Sequence, residues 1–573
     1  MSSNRVLLRL QLREDQIFLV LTIVIAVIAG LSAVLFTLAI QGVKHSLFGM
    51  SPSALRLVLA PMLMSVVTGI LLAKFFPEAR GSGVPQTKAA FHLDEGRIRP
   101  IVPFGKFLTG VLCVGSGHSM GREGPSVQIG AGLASAIAQW FRLPPARVQS
   151  LVCVGAAAAL AAAFNTPIAA VLFALEEIIG DMNASLIGST VVASVTSVIV
   201  ERSILGNEVL FRVPTYQLVH PAELLAYAVL GIVGGLVSLL FCKCLLKLRA
   251  FFLRLPSSTV MFQPAVGGLI IGIVLIFIPD VMGVRYEYVD QALNGGLLLK
   301  TMLLLCAVKL GATVISYCTG NAGGIFAPSL YLGAMAGGVV GILVHQFAPF
   351  PTAAPGAYAL VGMGTLFAGI IRAPMTSVFM IFELTQDYQI LVPLMTANML
   401  SFLISKRFQR VPVYHALLEQ NHVYLPGHEM RPGGPTRVRS LMNTDVRFIP
   451  VSTSIADARK LMADDHADSC FVGDRNHLAG IVTSSLMKDA MSSGRGGDPI
   501  ETIVLREFHH LYADQPVDIA LERLSKTAYA LPVLSRNGRR RVEGVVGIES
   551  ILNYIQAAGP AHDRSDNQSA TRS

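Results

Sequence analysis

Hydrophobic positions along this chain fall in long unbroken stretches, not in the short alternations of a strand-rich protein. Uncharged, mainly apolar runs cover Gln16–Val43, Gln149–Leu175, Ala184–Val200 and Gln389–Ser405. A helix crosses a hydrocarbon core with about 20 such residues. The pattern therefore predicts an α-helical polytopic membrane protein. Elsewhere the apolar runs are interrupted at Gly81-Ser-Gly-Val-Pro85, Gly115-Ser-Gly117, Gly121 to Pro125 and Gly320 to Pro328. In hydrocarbon, non-helical backbone persists only where protein or a watery cavity surrounds it. Proline suits the first helical turn, where its missing N–H would have had no helical partner. The segments ending in Pro85, Pro125 and Pro328 thus predict helices that begin inside the membrane. Such ends carry free amides and the positive end of the helix dipole, and they attract anions.

The pattern also repeats. Gly121-Arg-Glu-Gly-Pro125-Ser126 aligns with Gly324-Ile-Phe-Ala-Pro328-Ser329, and Gly130 with Gly333, at an offset of 203. Asn165-Thr-Pro167 through Glu176 aligns with Arg372-Ala-Pro374 through Glu383 at an offset of 207. Two homologous halves follow, roughly 15–210 and 220–420, an arrangement common in transporters. Beyond about residue 425 a second, shorter repeat pairs 437–491 with 500–554. Ile455, Ala458 and Met462 match Val517, Ala520 and Leu524, and Gly480-Ile-Val482 matches Gly544-Val-Val546. Each unit reads strand, helix, two strands, helix, with an apolar face too small to be buried alone, so the two should pack together.

Composition divides the chain at the same place. Only 14% of residues are charged, against about 25% in soluble proteins, and the mean hydropathy is +0.58. The last 143 residues hold 18 basic and 17 acidic side chains, so nearly all of the net charge of +9 belongs to the membrane body. That excess fits topology and anion attraction and not a nucleic-acid partner. Arg5, Arg9 and Arg13 before the first run favour a cytoplasmic N-terminus. The seven cysteines lack metal-ligand spacing and read as small buried hydrophobes, so no metal or cofactor is expected. Residues 426–436 read as a linker, 437–555 as the α/β tail domain, and 556–573, polar and charged, as disordered.

Three helix ends, after Gly81, Gly121 and Gly324, could converge on one dehydrated anion without a full positive charge, permitting both entry and exit. Ser82 adds a hydroxyl. Glu123 places a carboxylate at one of these ends, where it can occupy the anion site as a tethered competitor and leave when protonated. The aligned residue is Phe326, so the repeat itself does not require the acid. From the residues alone, Ser82 as an ordinary N-cap and Glu123 as a cap paired with Arg122 remain open.

The ordered motifs Gly81-Ser-Gly-Val-Pro85, Gly121-Arg-Glu-Gly-Pro125 and Gly324-Ile-Phe-Ala-Pro328, followed by a tyrosine after the last apolar run, resemble the CLC family of chloride channels and chloride/proton antiporters. The resemblance spans about residues 15–420 and implies the CLC-type inverted repeat with broken helices. It implies a central chloride held by the hydroxyls of Ser82 and Tyr414, in Val411-Pro-Val-Tyr414, and by the amides of Ile325 and Phe326. Glu123 would be the outward-facing gate, with Arg122 beside it, and Lys106 a long-range electrostatic support. Glu177, second of the pair Glu176-Glu177, would pass protons to the gate from the inner side. Family channels usually have an uncharged residue there, so the resemblance favours a homodimeric chloride/proton antiporter over a passive channel regulated by the tail. Gln86 and Lys88 depart from the acidic residues of some antiporters, and serine at 82 favours chloride over nitrate. The tail resembles a cytoplasmic CBS-domain pair. The aspartate with which many such pairs bind nucleotides is replaced by Leu486 and Ser550, which argues against adenine-nucleotide binding. The short N-terminus suits a bacterial inner membrane.

One motif belongs to another class. Gly117-His-Ser119-Met-Gly121 fits the nucleophile elbow of serine hydrolases, but that elbow requires a preceding strand in a soluble sheet. The apolar flanks here argue against an enzyme.

Overall fold

The computed structural model describes residues 14–49, 52–181, 184–206, 219–283, 286–425, 437–464, 469–506, 508–515, 517–524, 527, 530–535 and 540–550. Arg5, Arg9, Arg13, the 426–436 segment and the 556–573 tail lie outside these residues. The chain forms two compact units, Met1–Leu425 and Pro426–Ser573.

The first unit is helical. Its first half comprises α1 (Glu14–Phe48), α2 (Ala54–Lys74), α3 (Val84–Leu93), α4 (Ile101–Gly115), α5 (Glu123–Trp140), α6 (Pro145–Phe164), α7 (Pro167–Phe173) and α8 (Ala184–Leu205). The second comprises α9 (Glu223–Leu253), α10 (Gln263–Phe277), α11 (Tyr286–Leu293), α12 (Leu299–Cys318), α13 (Phe326–Phe347), α14 (Pro355–Ile371), α15 (Pro374–Thr385) and α16 (Leu391–Phe408). A short α17 (Val413–Glu419) follows. Among the described residues, eight helices are long and apolar enough to cross a membrane, and four shorter apolar helices accompany them. Leu19, Val20, Ile23 and Val24 of α1 and Val392, Met395, Met399 and Leu403 of α16 are exposed, as a lipid-facing stripe requires. By contrast, Leu151 to Phe164 of α6 are buried throughout.

Small residues let the central helices touch. A Cβ on Gly130 would lie 2.3 Å from Gly155 O, and one on Gly333 would lie 2.3 Å from Gly362 O. Those two contacts occupy repeat-equivalent positions, α5 on α6 and α13 on α14. In a lipid solvent this close backbone approach supplies association that apolar burial does not.

Two further features show that the halves face each other in opposite senses. Gly121 and Gly324 form an antiparallel bridge, each N–H donating to the other's carbonyl at 2.8 Å. Across the other end, Glu383 of α15 accepts from Ile168 N and Ala169 N at 2.8 Å, capping α7. Glu176 reciprocally accepts from Met375 N at 3.2 Å and Thr376 N at 2.9 Å, capping α15. Equivalent residues exchanging equivalent bonds describe a local two-fold relation. A carboxylate on an otherwise uncapped N-terminus is worth about 1 kcal/mol, so these caps fasten one half to the other.

Among the described residues, the second unit holds two three-stranded sheets. β1 (Phe448–Ile449), α18 (Ile455–Asp464), β2 (Ser469–Gly473), β3 (Leu478–Thr483) and α19 (Ser484–Ser492) form one module, with β1 parallel and β3 antiparallel to β2. β4 (Leu511–Tyr512), α20 (Val517–Leu524), β5 (Leu531–Leu534) and β6 (Val542–Val546) repeat it. Phe471, Leu478 and Ile481 share one apolar cluster with Leu534 and Val542, joining the modules. The sequence repeat does not cut between structural modules, however. Val438 and Leu441 pack with the second module, and Ile500 with the first. Each repeat thus lends its leading segment to the other, because the small apolar face of a single module is completed only by its neighbour. Leu486 packs partly buried against the first module's core. All seven cysteines are free, five of them buried, and burial pushes the Cys470 thiol up to about 12.

Candidate functional site

Three chain breaks meet in the body of the first unit. α3 begins at Val84, α5 at Glu123 and α13 at Phe326, each with a proline in its first turn. Gly115-Ser-Gly117 behaves differently and ends α4. Gly83 precedes α3 at φ 103°, where a side chain would be strained, and a Cβ there would meet Gly124 O at 2.6 Å. Its N–H donates to Gln86 Oε1 at 2.9 Å, closing the first turn. Arg122 and Ile325, preceding α5 and α13, provide no side-chain cap. The first-turn amides of those two helices are therefore left for another acceptor.

Gly124 marks the meeting point. A Cβ on it would lie 2.7 Å from both Ser82 O and Ser82 Oγ and 3.2 Å from Gly324 Cα. Gly124→Ala is accordingly expected to displace Ser82 and lower anion transport at least about tenfold, since 1.4 kcal/mol of misfit already gives that factor. Anion efflux from liposomes containing the folded variant measures this.

Ser82 is fully buried and, among the described residues, its Oγ has no well-aligned hydrogen-bond partner. Tyr414, from α17, is also fully buried; its hydroxyl lies beside that of Ser82 and, among the described residues, has no well-aligned partner. Leaving such a group unsatisfied costs roughly 1–3 kcal/mol. Two adjacent hydroxyls without a well-aligned acceptor, beside uncapped helix ends, form a set of donors, the chemistry that suits an anion. Ile325 and Phe326 are buried at the start of α13. The Phe326 ring packs against Phe164, Phe173 and Phe367 at centroid distances of 4.8, 5.6 and 4.4 Å, keeping this side dry.

Glu123 opens α5 and is fully buried. Tyr286 donates its hydroxyl to Oε1 at 3.1 Å. Oε2 has no well-aligned donor, and the Ala327 amide of α13 lies close to the carboxylate. One half's acid therefore reaches the other half's helix end. Arg122 does not hydrogen-bond to it, since the guanidinium donates to Thr37 Oγ1 at 2.8 Å and to Ala163 O at 3.2 Å, but its charge acts on the carboxylate.

Glu177 lies at the end of α7, in a widened turn over Ala174–Ile179. Its Oε1 pairs with Lys88 Nζ of α3 at 2.9 Å, with both side chains about 95% buried. Glu177 and Glu123 are separate groups, each near Tyr414. Lys106, read from sequence as a long-range support, is a tether: its Nζ donates to Ala79 O at 2.9 Å and Gly81 O at 2.5 Å, holding the backbone beside Ser82.

Two recesses approach these groups. One of about 340 Å³ reaches Gly81 and Tyr317 and is lined by Arg80 and Arg249. Another of about 250 Å³ reaches Tyr286 and is lined by Lys44 and Arg122. Both mouths are basic, which raises the local anion concentration.

Tyr286 and Lys309 were missed in the sequence, although Lys309 stands 203 residues after Lys106 and its position was findable from the repeat. The hydrolase motif has no catalytic geometry. Helix α4, not a strand, leads to Ser119, whose buried Oγ bonds to Thr313 Oγ1 at 2.9 Å, while His118 bonds to Ser65 Oγ at 2.7 Å.

Comparison with known proteins agrees with this geometry. The family model for voltage gated chloride channels matches residues 64–406, and the CBS domain model matches 438–492 and 500–557. The H(+)/Cl(-) exchange transporter ClcA of Vibrio campbellii is 29% identical over 412 residues, covering 69% of this chain and 88% of that protein. The crystal structure of a slow cyanobacterial Cl-/H+ antiporter superposes with a TM-score of 0.63 at 27% identity, covering 70% of this chain and 97% of that one. A eukaryotic CLC transporter structure shares the fold over 93% of this chain and 97% of its own, with a TM-score of 0.64 at 20% identity.

Proposed function

From the premise that the chain belongs to the voltage gated chloride channel (CLC) family and ends in a pair of CBS domains, we propose that it exchanges chloride for protons across a membrane. It is an integral multi-pass membrane transport protein and not an enzyme. The observation that carries the exchange reading is Glu123, a buried carboxylate directed at the uncapped end of α13 where an anion would otherwise bind. Ionised, it competes with chloride; protonated, it leaves the helix end and carries its proton with it. A single group then couples both substrates.

In this reading Ser82, Tyr414 and the amides of Ile325 and Phe326 hold the central chloride. Glu177 takes protons from the inner side toward Glu123, and Arg122 and Lys106 shape the pathway without binding the anion. Relatives named as H(+)/Cl(-) exchange transporters support the same assignment. The proposal includes two such subunits forming a homodimer, with the N-terminus and the CBS pair in the cytoplasm of a bacterial cell. The CBS pair has a structural or regulatory role without adenine nucleotide, as Leu486 and Ser550 favour. A passive chloride channel is the second reading, and the Lys88–Glu177 ion pair favours it, since a paired carboxylate is a poorer proton carrier.

Liposomes distinguish the two. With exchange, a chloride gradient imposed across vesicles containing the protein drives protons against their own gradient; chloride movement without protons would select the channel.

A further inference from the structure

The two repeat-equivalent lysines do the same mechanical job for different hydroxyls. Lys106 binds the carbonyls of Ala79 and Gly81, ahead of α3 and beside Ser82. Lys309, fully buried on α12, donates to Val281 O at 3.1 Å and to Gly283 O, ahead of α11. The helix held in this second case begins with Tyr286, whose hydroxyl donates to Glu123 Oε1 at 3.1 Å. At the repeat offset of 203 the residue equivalent to Tyr286 is Gly83, so the phenol is not demanded by the fold. It also lines the recess of about 250 Å³ that reaches Arg122, so an anion moving from that recess to the α13 amides passes both the phenol and the carboxylate.

We propose that Tyr286 is a latch on Glu123, a positioning residue tethered through Lys309 that holds the ionised carboxylate at the helix end and thereby sets how readily protons open the pathway. This deepens the exchange reading and rests on it. A hydrogen bond to an ionised acceptor is roughly twice as strong as one to a neutral acceptor. The latch therefore favours the charged, closed form and weakens once the proton arrives.

The other groups facing Glu123 do not replace it. Arg122 acts through its charge, its guanidinium being bonded to Thr37 and Ala163, and Glu123's own amide also faces the carboxylate; both stay in place when the phenol hydroxyl is removed. Lys44 of α1 lines the recess, Tyr414 approaches from α17, and Glu201 of α8 faces Arg122. Lys88 is paired with Glu177, Lys106 and Lys309 with backbone carbonyls, and α13 presents amides.

Tyr286→Phe keeps the ring and removes the donor. In liposomes, chloride turnover that rises as pH falls should reach half its maximum at a pH higher by about half to one unit, a three- to tenfold gain in proton affinity, within what one charge-assisted hydrogen bond supplies. The proton-to-chloride ratio should stay at the unmodified value. The control is Tyr288→Phe, whose hydroxyl donates to Asp280; it should leave the pH profile unchanged. An unshifted profile in Tyr286→Phe with its ratio intact would overturn the latch, as would an equal shift in Tyr288→Phe. If the unmodified protein moved no coupled protons, the exchange reading itself would fall, a result separable from both.

Discussion

Glu123→Gln is expected to reduce coupled proton movement to the background of protein-free liposomes while chloride continues to pass at a rate of the same order. The glutamine side chain has nearly the same shape but never ionises, so it behaves as a gate fixed in its protonated state. Two consequences follow from the geometry. The α13 amides near Ala327 lose their internal carboxylate competitor, so chloride should bind more tightly to the variant, measurable by titrating chloride into the purified protein. The Tyr286 hydroxyl keeps an acceptor in the glutamine carbonyl, so the local structure should survive. Proton transport by the variant at the original chloride ratio would remove Glu123 from the gate.

A second large effect is expected at the inner acid. Glu177→Gln should also stop proton movement, because the relay loses its carboxylate, but it has a structural consequence that Glu123→Gln lacks. Lys88 Nζ lies 2.9 Å from Glu177 Oε1, with both groups buried. Removing one partner of such a pair costs about 3–5 kcal/mol through the uncompensated charge left behind. The single variant should therefore melt at a clearly lower temperature than the unmodified protein. Replacing both groups, Lys88→Met with Glu177→Gln, should recover most of that loss while remaining unable to carry protons. If the single variant were as stable as the double one, the pair would not be carrying the buried charge. If the double variant still exchanged protons, Glu177 would not be the inner relay.

The breaks in the apolar pattern were the most legible part of the fold. Proline in the first turn marked α3, α5 and α13, because its steric preference operates whatever surrounds it. The aligned pair Glu176 and Glu383 was legible as a repeat but not as a function, since reciprocal capping requires knowing that the halves are inverted toward each other. The bonding of Lys106 could not be read from sequence for a similar reason. A buried lysine acting on backbone carbonyls and one acting through space have the same spelling. Tyr286 escaped notice because nothing within α11 distinguishes it; its importance comes from a hydrogen bond to a residue 163 positions earlier. Lys88 was visible as a departure from an acidic position, yet only the fold pairs it with Glu177. In the tail, the swap of leading segments such as Val438 was hidden, because a repeat records ancestry and not which copy completes which core.

The most direct test of coupling is the voltage at which net proton movement stops in liposomes of the unmodified full-length protein. The membrane voltage is clamped by a potassium gradient with an ionophore, and the chloride and proton gradients are fixed independently. If one carboxylate serves both substrates, that voltage moves when the chloride gradient alone is changed. A null voltage that follows the proton gradient only, with chloride flowing freely, would contradict exchange and leave a passive anion pathway.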